Sequence, residues 1–514
     1  MKYVSTRNKS IRRSFEEALF SGYSPDGGLF VPENLPKISS PELQSYASLS
    51  FPSLAYEVVR AFISPEEVSD DDLRIICQKS FHDGFDAPDD GVVPVVPVGS
   101  VYVAELFHGP TFCFKDLGMR GVINLLSHFS AKRHRKTTLL AATTGDTGPA
   151  AVHAVANSNN PYLGIVVHYP RGQISAFQRK QMTTVDSPMV AVVSFDGGGD
   201  DMDRPIKDLL TEQQRQHQQE ESRGDTTADR ILCGVNSYNI GRPLMQMVHF
   251  FWTYLRVCEQ LGKEPGEDTI VDIVIPTGAM GNMCAGYMAK NMGLPIGKLC
   301  AGTNPNDITH RAIQTGKFHR ADEMEQTLSE AINIQVPYNF ERILYFLTGH
   351  DDALVRQWMT TMDTTAKLDI DSTWLDNLQR NFCSARITDE EMCQVMVRVK
   401  EGLGYFVDPH TAVAFAAADN LGYHPIQDDA QRKPVAIFAT ASPCKFQEAV
   451  TVALGEEGWA EYENAAFPDR ARELITKDEV QPTEYKWQEG CTLEEVQTSW
   501  KKNVIELVDS MGGV

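Results

Sequence analysis

One lysine of the chain stands among residues that suit a nucleophile or a base. Lys115 follows Phe112, Cys113 and Phe114 and precedes Asp116. Apolar neighbours remove water from an amine and favour its uncharged form, which can attack a carbonyl carbon or accept a proton. The pattern also fits a lysine whose stem lies on apolar surface while its ammonium pairs with Asp116, and this segment alone favours that structural interpretation.

A turn rich in hydroxyl groups follows a predicted buried strand and precedes a helix that begins near Pro149. Backbone amides and hydroxyls at the start of a helix bind anions, so a carboxylate or a phosphate fits here. A turn in which Asp146 or Thr147 merely caps the helix explains the pattern equally well. The turn consists of Thr143, Thr144, Gly145, Asp146, Thr147 and Gly148.

A second turn, residues 276–282, carries two glycines three positions apart. Gly278 and Gly281 let backbone amides converge on a phosphate without a Walker lysine. The turn matches neither the Walker pattern nor the dinucleotide fingerprint, so a nucleotide role has little support. Its other candidate residues are Ala279, Met280 and Asn282.

Thr440 completes the candidates, because its hydroxyl lies at the carboxyl end of the last predicted strand and could face a ring nitrogen of a heterocycle. An ordinary turn is the alternative there. The four segments share one position, at the carboxyl end of a predicted strand. Open α/β sheets build their sites at those ends, so we expect the four segments to meet.

The elements that must position these residues alternate between short aliphatic runs and helical patterns from Val101 onward. This alternation predicts an α/β fold with a parallel sheet and right-handed crossovers. The first hundred residues predict a mostly helical cap, Asp200 to Asp229 an exposed helix plus loop, and the last 60 or so residues charged helices. The predicted strands are Thr137–Ala142, Leu163–Tyr169, Val190–Phe195, Ile270–Ile275 and Val435–Thr440.

Composition excludes several classes of protein. With 47 basic and 69 acidic residues the formal net charge is −22, which argues against binding nucleic acid or anionic membranes through basic surface. The chain has no apolar run of about 18 residues, the length of a membrane span. Its ten cysteines lack the close spacing of zinc or redox motifs, so we expect reduced thiols, no metal and a cytoplasmic protein.

A lysine nucleophile, an anion-binding turn, a phosphate loop and a strand-end hydroxyl are together what a pyridoxal phosphate enzyme requires. The chain resembles the threonine synthase family from Tyr3-Val4-Ser5-Thr6-Arg7 to about Phe446. The resemblance implies fold type II, similar to tryptophan synthase β, with two parallel-sheet α/β domains. It implies an N-terminal helical cap (1–98), a cofactor-binding core (99–306) with a smaller sheet domain at about 117–240, a helical insertion (307–405), and a return to the large domain with C-terminal helices (406–514).

The resemblance also gives each candidate residue a role. It implies that Lys115 is the catalytic lysine that binds pyridoxal 5'-phosphate, and that Thr440 faces the pyridine nitrogen. The turn of Thr143, Thr144, Gly145, Asp146 and Thr147 is similar to the family's site for the substrate carboxylate. The cofactor phosphate loop corresponds to Gly278, Ala279, Met280, Gly281 and Asn282, and the residues near the substrate phosphate correspond to Asn236, Asn239, Arg242 and Lys445.

The activity that the resemblance implies is conversion of O-phospho-L-homoserine and water to L-threonine and phosphate, by a monomer or homodimer. Ala279 and Ser442 stand where the family usually has an asparagine and a histidine, and Thr144 replaces a serine. These departures resemble the threonine-synthase-like branch, whose members degrade phosphorylated hydroxy amino acids, although Thr440 keeps the biosynthetic type. The alternative is therefore a phospho-lyase that releases 2-oxobutyrate, ammonia and phosphate from O-phosphohomoserine or O-phosphothreonine.

A third hypothesis is a binding protein that has lost its enzymatic activity. A scaffold has no need of a lysine, an arginine and a glycine loop in the family's arrangement. Lys115, Arg242, Gly278 and Gly281 together therefore argue against this hypothesis.

Overall fold

The computed structural model describes residues 1–82, 84–88, 91–223, 230–427 and 433–511. Its strands are β1 (Tyr3–Ser5), β2 (Asn8–Arg13), β3 (Phe30–Pro32), β4 (Val95–Val98), β5 (Val101–Glu105), β6 (Lys136–Ala142), β7 (Leu163–Pro170), β8 (Val190–Phe195), β9 (Arg230–Gly234), β10 (Val271–Pro276), β11 (Ile296–Thr303), β12 (Lys317–His319), β13 (Lys367–Asp369), β14 (Phe382–Arg386), β15 (Val435–Ala439) and β16 (Thr483–Tyr485).

The helices follow in the same numbering. They are α1 (Phe15–Ser21), α2 (Ser40–Ser45), α3 (Phe51–Val59), α4 (Asp70–Phe81), α5 (Lys115–Arg133), α6 (Thr147–Ser158), α7 (Ala176–Thr183), α8 (Asp203–Arg223), α9 (Gly241–Gln260), α10 (Gly281–Met292), α11 (Ile308–Thr315), α12 (Phe340–Leu347), α13 (Asp352–Thr365), α14 (Ser372–Asn381), α15 (Asp389–Leu403), α16 (Pro409–Asn420), α17 (Gln447–Ala465), α18 (Asp469–Ile475) and α19 (Leu493–Ser510).

Two sheets form the centre of the molecule. One has five strands in the order β16-β8-β7-β6-β9, and the other has six in the order β14-β11-β10-β15-β5-β4. Their neighbouring strands pair in parallel, except that β4 runs antiparallel to β5. The predicted α/β class with two parallel sheets is therefore confirmed.

Burial explains why these runs of residues form strands. Every residue of β7, β10 and β15 is buried, as expected where helices cover both faces of a parallel sheet. Two strand starts differ from the prediction by one residue. Strand β6 begins at Lys136, before the predicted Thr137, and Ile270, which was expected to open a strand, is 45% exposed and precedes β10.

The N-terminal segment contains a small sheet that the helical prediction missed. Strands β1, β2 and β3 pair antiparallel in the order β2-β1-β3 before the helices α2 to α4. These strands have three, six and three residues, too few for a clear alternation of apolar and polar positions. The acidic run at Asp70 does begin a helix, α4, and the Ser69 hydroxyl accepts a hydrogen bond from the Asp72 amide in its first turn.

The predicted helical insertion and C-terminal region each contribute a strand to a central sheet. Within 307–405, β14 forms the outer strand of the six-stranded sheet beside β11. The C-terminal region was assigned to the large domain, but β16 pairs with β8 of the five-stranded sheet, and Trp500 of α19 packs against Phe195 with ring centroids 5.1 Å apart. The boundaries between the four predicted domains stay predictions.

The polar stretch 200–229 forms α8 up to Arg223, and residues 224–229 lie outside the described residues. The expectation that this helix is exposed is wrong for one side of it, because Ile206 and Leu210 are buried. Across the described ranges, no helix combines the length and apolar character needed to cross a membrane.

Candidate active site

A cleft of about 110 Å³ lies at the carboxyl ends of strands from both central sheets. Ala142 ends β6, Pro276 ends β10, and Thr440 follows β15, and all three line the cleft. The predicted site residues that line it are Lys115, Thr143, Thr144, Asp146, Thr147, Asn236, Arg242, Gly278, Ala279, Met280, Gly281, Asn282 and Thr440.

Lys115 begins helix α5 and faces this cleft, with 15% of its side chain exposed. The alternative in which Asp116 is its counter-ion is wrong. The Asp116 carboxylate accepts hydrogen bonds from Thr111 N (2.8 Å) and Thr111 Oγ1 (2.7 Å) and is buried behind the helix start. The nearest carboxylate to Lys115 Nζ in the cleft is instead that of Asp146, whose Oδ2 lies 3.5 Å away.

Asp146 connects two lysines. Its Oδ1 lies 2.6 Å from Lys445 Nζ and accepts a 2.9 Å hydrogen bond from Gln178 Nε2. Burial raises the pKa of Asp146, but the positive charges of Lys445 and Lys115 outweigh burial and hold that pKa well below its usual range. Asp146 is therefore a fixed anion that orients the amine of Lys115.

Hydrogen bonds within the predicted anion-binding turn stabilise its conformation. Thr143 Oγ1 accepts hydrogen bonds from the amides of Gly145 (3.1 Å) and Gly148 (2.9 Å). Gly145 has φ +129°, and a Cβ there would lie 2.4 Å from Gln178 Nε2, so only glycine fits. Thr144 and Thr147 remain on the cleft wall, where the start of α6 presents its first amides.

The loop between β10 and α10 approaches a second loop closely. Met280 takes a left-handed conformation (φ +59°), and a Cβ added at Gly281 would lie 2.8 Å from Ser237 Cβ. Asn282 Oδ1 lies 2.7 Å from His249 Nε2. The buried Nδ2 of Asn282 has no hydrogen-bond partner in the described part of the chain.

Arg242 is a cation of the cleft that has no carboxylate partner among the described residues. Its side chain is 2% exposed, and its Nη1 donates to Val235 O at 2.9 Å. Its Nε has no hydrogen-bond partner among the described residues. Burial lowers the pKa of Arg242 to about 10, so the guanidinium stays charged at neutral pH. A buried cation with an unused donor is suited to an anionic ligand.

Three predicted site residues do not line the cleft, and they are Gly145, Asn239 and Lys445. Asn239 was expected near the substrate phosphate, but its Nδ2 donates to Leu19 O (2.7 Å) and Gly234 O (2.8 Å), so it holds the loop of Asn236 in place. Lys445 is fully buried and donates to Thr111 O at 3.0 Å besides pairing with Asp146, so its charge acts through that aspartate.

Several residues of the cleft were not predicted. His410 lies there, with Nδ1 2.7 Å from Asp408 Oδ2 and Nε2 accepting from Ala331 N at 3.1 Å. Asp200 and Asp203 also line the cleft, and burial raises the pKa of Asp200 to about 6 and that of Asp203 to about 8. Because they follow β8, the strand-end rule could have indicated them.

The insertion supplies one wall of the cleft, a role that the sequence left open. The wall-lining residues of the insertion are Ala331, Ile332, Ile334, Val336 and Tyr338.

His108, whose part in the site the sequence also left open, does not line the cleft. Its Nε2 is 2.7 Å from Glu105 Oε2, and although burial opposes the charged ring, hydrogen bonds to Asp86 and Glu105 raise the pKa of His108.

Comparisons with known proteins agree with this geometry. Residues 2–81 match the family model for the threonine synthase N terminus, residues 94–432 that for pyridoxal-phosphate-dependent enzymes, and residues 411–488 that for the threonine synthase C-terminal region. The chain belongs to the threonine synthase family. Threonine synthase-like 2 of Homo sapiens is 36% identical over 458 residues, covering 88% of this chain and 89% of that protein.

Two solved threonine synthases share the fold over their whole length. The yeast enzyme has a TM-score of 0.82 at 30% identity, covering 98% of this chain and 99% of its own. The enzyme of Brucella melitensis, solved with bound pyridoxal phosphate, has a TM-score of 0.80 at 30% identity, covering 97% and 99%.

This member of the threonine synthase family is an enzyme whose cofactor is pyridoxal phosphate. Its cleft fits that cofactor. The loop Gly278–Asn282 lines the cleft, and the buried Asn282 Nδ2 and Arg242 Nε, which have no hydrogen-bond partner among the described residues, are donors suited to anionic oxygens. Thr440 is 5% exposed and lines the same cleft as Lys115. In the described ranges, no group of three or more potential ligands could hold a metal ion.

Proposed function

We propose that this protein is a threonine synthase, a carbon–oxygen lyase that converts O-phospho-L-homoserine and water to L-threonine and phosphate. The observation that carries the proposal is one cleft with an amine, Lys115 Nζ, and a buried guanidinium, Arg242, whose Nε is unused. An amine suits covalent attachment of the cofactor, and the guanidinium suits a phosphate that must be bound and released.

The proposed roles come from the resemblance and are supported by the shared cleft that these residues line. Lys115 would hold the cofactor, the backbone of Gly278–Asn282 would bind its phosphate, and Thr440 would offer its hydroxyl to the ring nitrogen. When bound, pyridoxal phosphate withdraws electrons from the carbon atoms of the attached amino acid. The start of α6, with Thr144 and Thr147, binds the substrate carboxylate.

Lys115 Nζ is the general base of this proposal, taking the proton from the substrate's Cα. The fixed carboxylate of Asp146, 3.5 Å away, stabilises the ammonium that results. Loss of a proton from Cβ then provides the electron pair that expels phosphate from Cγ. Arg242 would bind this phosphate together with Asn236, whose Nδ2 donates one hydrogen to Ala142 O at 2.7 Å and has a second hydrogen to donate. Water adds at Cβ, and protons return to Cγ and Cα.

A phospho-lyase is the second candidate function, supported by two observations. Ala279 lines the cleft where the family's asparagine stands, and the chain is 36% identical to a threonine synthase-like 2 protein. Ser442 does not help to decide between the phospho-lyase and the synthase. It lies outside the cleft, with its Oγ 3.2 Å from Tyr462 Oη, so loss of the family's histidine there does not remove a cleft side chain.

The experiment that separates the two candidates is a product assay on the cofactor-loaded enzyme with O-phosphohomoserine. Threonine and phosphate in equal amounts are expected. Release of 2-oxobutyrate and ammonia without threonine would overturn the synthase proposal, and O-phosphothreonine as a second substrate would then measure the lyase activity. Absence of both products, with no visible absorbance from bound cofactor, would exclude either enzyme.

The cellular setting is part of the proposal. We place the enzyme in the cytoplasm, where thiols stay reduced, because its ten cysteines are free. We propose that it works there as a monomer or homodimer on a small phosphorylated amino acid.

A further inference from the structure

Two cysteines face each other at the edge of the six-stranded sheet. Cys300 on β11 and Cys383 on β14 are direct partners in the parallel register, and their Sγ atoms lie 2.7 Å apart. Adjacent strands are separated by about 4.8 Å, within the Cα separations that a disulfide spans. The side chains therefore already point at each other at nearly bonding distance, whereas a disulfide has a sulfur separation of about 2.05 Å.

Exposure differs between the two thiols. Cys383 is partly exposed on the outer strand β14. Cys300 is buried in the same apolar cluster as residues of helices α15 and α16. The groups facing the pair are Tyr423, whose Oη lies 3.6 Å from Cys300 Sγ, and Asp272, which accepts from Tyr423 Oη at 2.8 Å and pairs with Lys433. One thiol is thus accessible to a small reagent and the other only to its neighbour.

We propose that Cys300 and Cys383 are a redox-active pair that closes reversibly to a disulfide. The oxidant is a low-molecular-weight disulfide such as oxidised glutathione. Cys383 Sγ, as thiolate, attacks one sulfur of the oxidant and expels the first thiolate, which forms a mixed disulfide. Cys300 Sγ then gives up its proton, attacks Cys383 Sγ and expels the second thiolate, so the protein loses two electrons and two protons and the oxidant gains them.

The position of the pair gives the bond a structural effect. The two cysteines are 83 positions apart, and the chain between them is the part of the insertion that carries Ala331 and Tyr338 to the cleft wall. A disulfide would tie together the two ends of this segment and restrict the unfolded chain. Oxidation should therefore raise the thermal stability of the enzyme.

The test uses the full-length, cofactor-loaded enzyme incubated with oxidised or with reduced glutathione. After alkylation of remaining thiols and proteolysis, mass spectrometry should find a peptide that links Cys300 to Cys383, two hydrogens lighter than the separate peptides. Dithiothreitol should remove this peptide. The oxidised enzyme should unfold at a higher temperature than the reduced enzyme, and dithiothreitol should reverse that shift.

Matched variants locate the effect. Cys383→Ser should abolish both the linked peptide and the shift in unfolding temperature, whereas Cys393→Ser, another partly exposed cysteine, should leave both unchanged. Recovery of Cys300 and Cys383 as separately alkylated peptides from the oxidised wild-type enzyme would overturn the proposal. A stable glutathione adduct on Cys383 without the link would also overturn it, and neither result depends on the folding of a variant.

Discussion

Arg242 shows how a single residue can indicate the chemistry of its ligand. Its guanidinium is buried with its Nη1 on a backbone carbonyl, and in the described ranges no carboxylate pairs with it. Burying an unpaired cation is costly, and proteins keep such a charge where an anion binds. A buried guanidinium without a carboxylate partner thus indicates that the ligand of the cleft is an anion.

Replacement of this guanidinium should weaken the enzyme selectively. Arg242→Gln removes the charge but keeps an amide donor, and we expect kcat/KM for O-phosphohomoserine to fall by about 10- to 100-fold, the value of a hydrogen bond to a charged group. Steady-state kinetics measure this. Arg398→Gln, at an exposed surface pair with Asp419, should be neutral, and equal losses in both variants would contradict the assignment.

Lys115 should be indispensable. Lys115→Ala should reduce phosphate release by at least about 10²- to 10⁴-fold, the contribution of a general base, and should eliminate the visible absorbance of covalently attached cofactor. Spectrophotometry and a phosphate assay check both. The control is Lys132→Ala on the same helix, which should behave as wild type. Unchanged absorbance in the Lys115 variant would mean that another amine holds the cofactor.

At the scale of elements, the cleft depends on the close approach of helix α10 to the loop that precedes α9. Gly281→Ala would place a methyl group 2.8 Å from Ser237 Cβ and push the two apart. We expect a weaker cofactor affinity and a free energy of unfolding lower by about 1 to 3 kcal/mol. Gly266→Ala, where a Cβ meets no atom within 4 Å, is the matched control. Cofactor titration and chemical denaturation should show no difference between wild type and Gly266→Ala.

The elements that the sequence predicted best are aliphatic strands of the two central sheets. Strand β8 has its predicted bounds because its aliphatic run is bounded by turn residues. The fully buried strands β7, β10 and β15 each lie within one residue of their predicted bounds. Strands β14 and β16 were missed because they are short edge strands whose partners lie far away in the sequence. The roles of Asn239 and Lys445 were missed for a similar reason, since a motif gives a residue's neighbourhood but not the direction of its side chain.

At the scale of the whole molecule, buried histidines couple stability to pH. His168 in β7 is fully buried, and burial lowers its pKa to about 4, whereas an unfolded histidine has a pKa of about 6.5. The unfolded state therefore binds more protons between these values, so the free energy of unfolding decreases as pH falls from about 6.5 towards about 4. This histidine alone accounts for up to about 3 kcal/mol.

This coupling can be measured by chemical denaturation at about pH 7 and about pH 5. His168→Asn should lose less stability than wild type on acidification, because asparagine can keep the bond to Ala141 O without gaining a charge. His134→Asn is the control, since His134 is exposed in a left-handed conformation that asparagine tolerates. An identical pH dependence in wild type and His168→Asn would contradict this explanation.

The pairing of β16 with β8 has a consequence for how the chain is made. A ribosome adds about 5 to 20 residues per second, so the roughly 290 residues between these strands take about 15 to 60 seconds to synthesise. During that interval the edge of β8 has hydrogen-bonding groups without their final partner, and an open edge can pair with another chain. The nascent five-stranded sheet is therefore most vulnerable to aggregation before its last strand emerges.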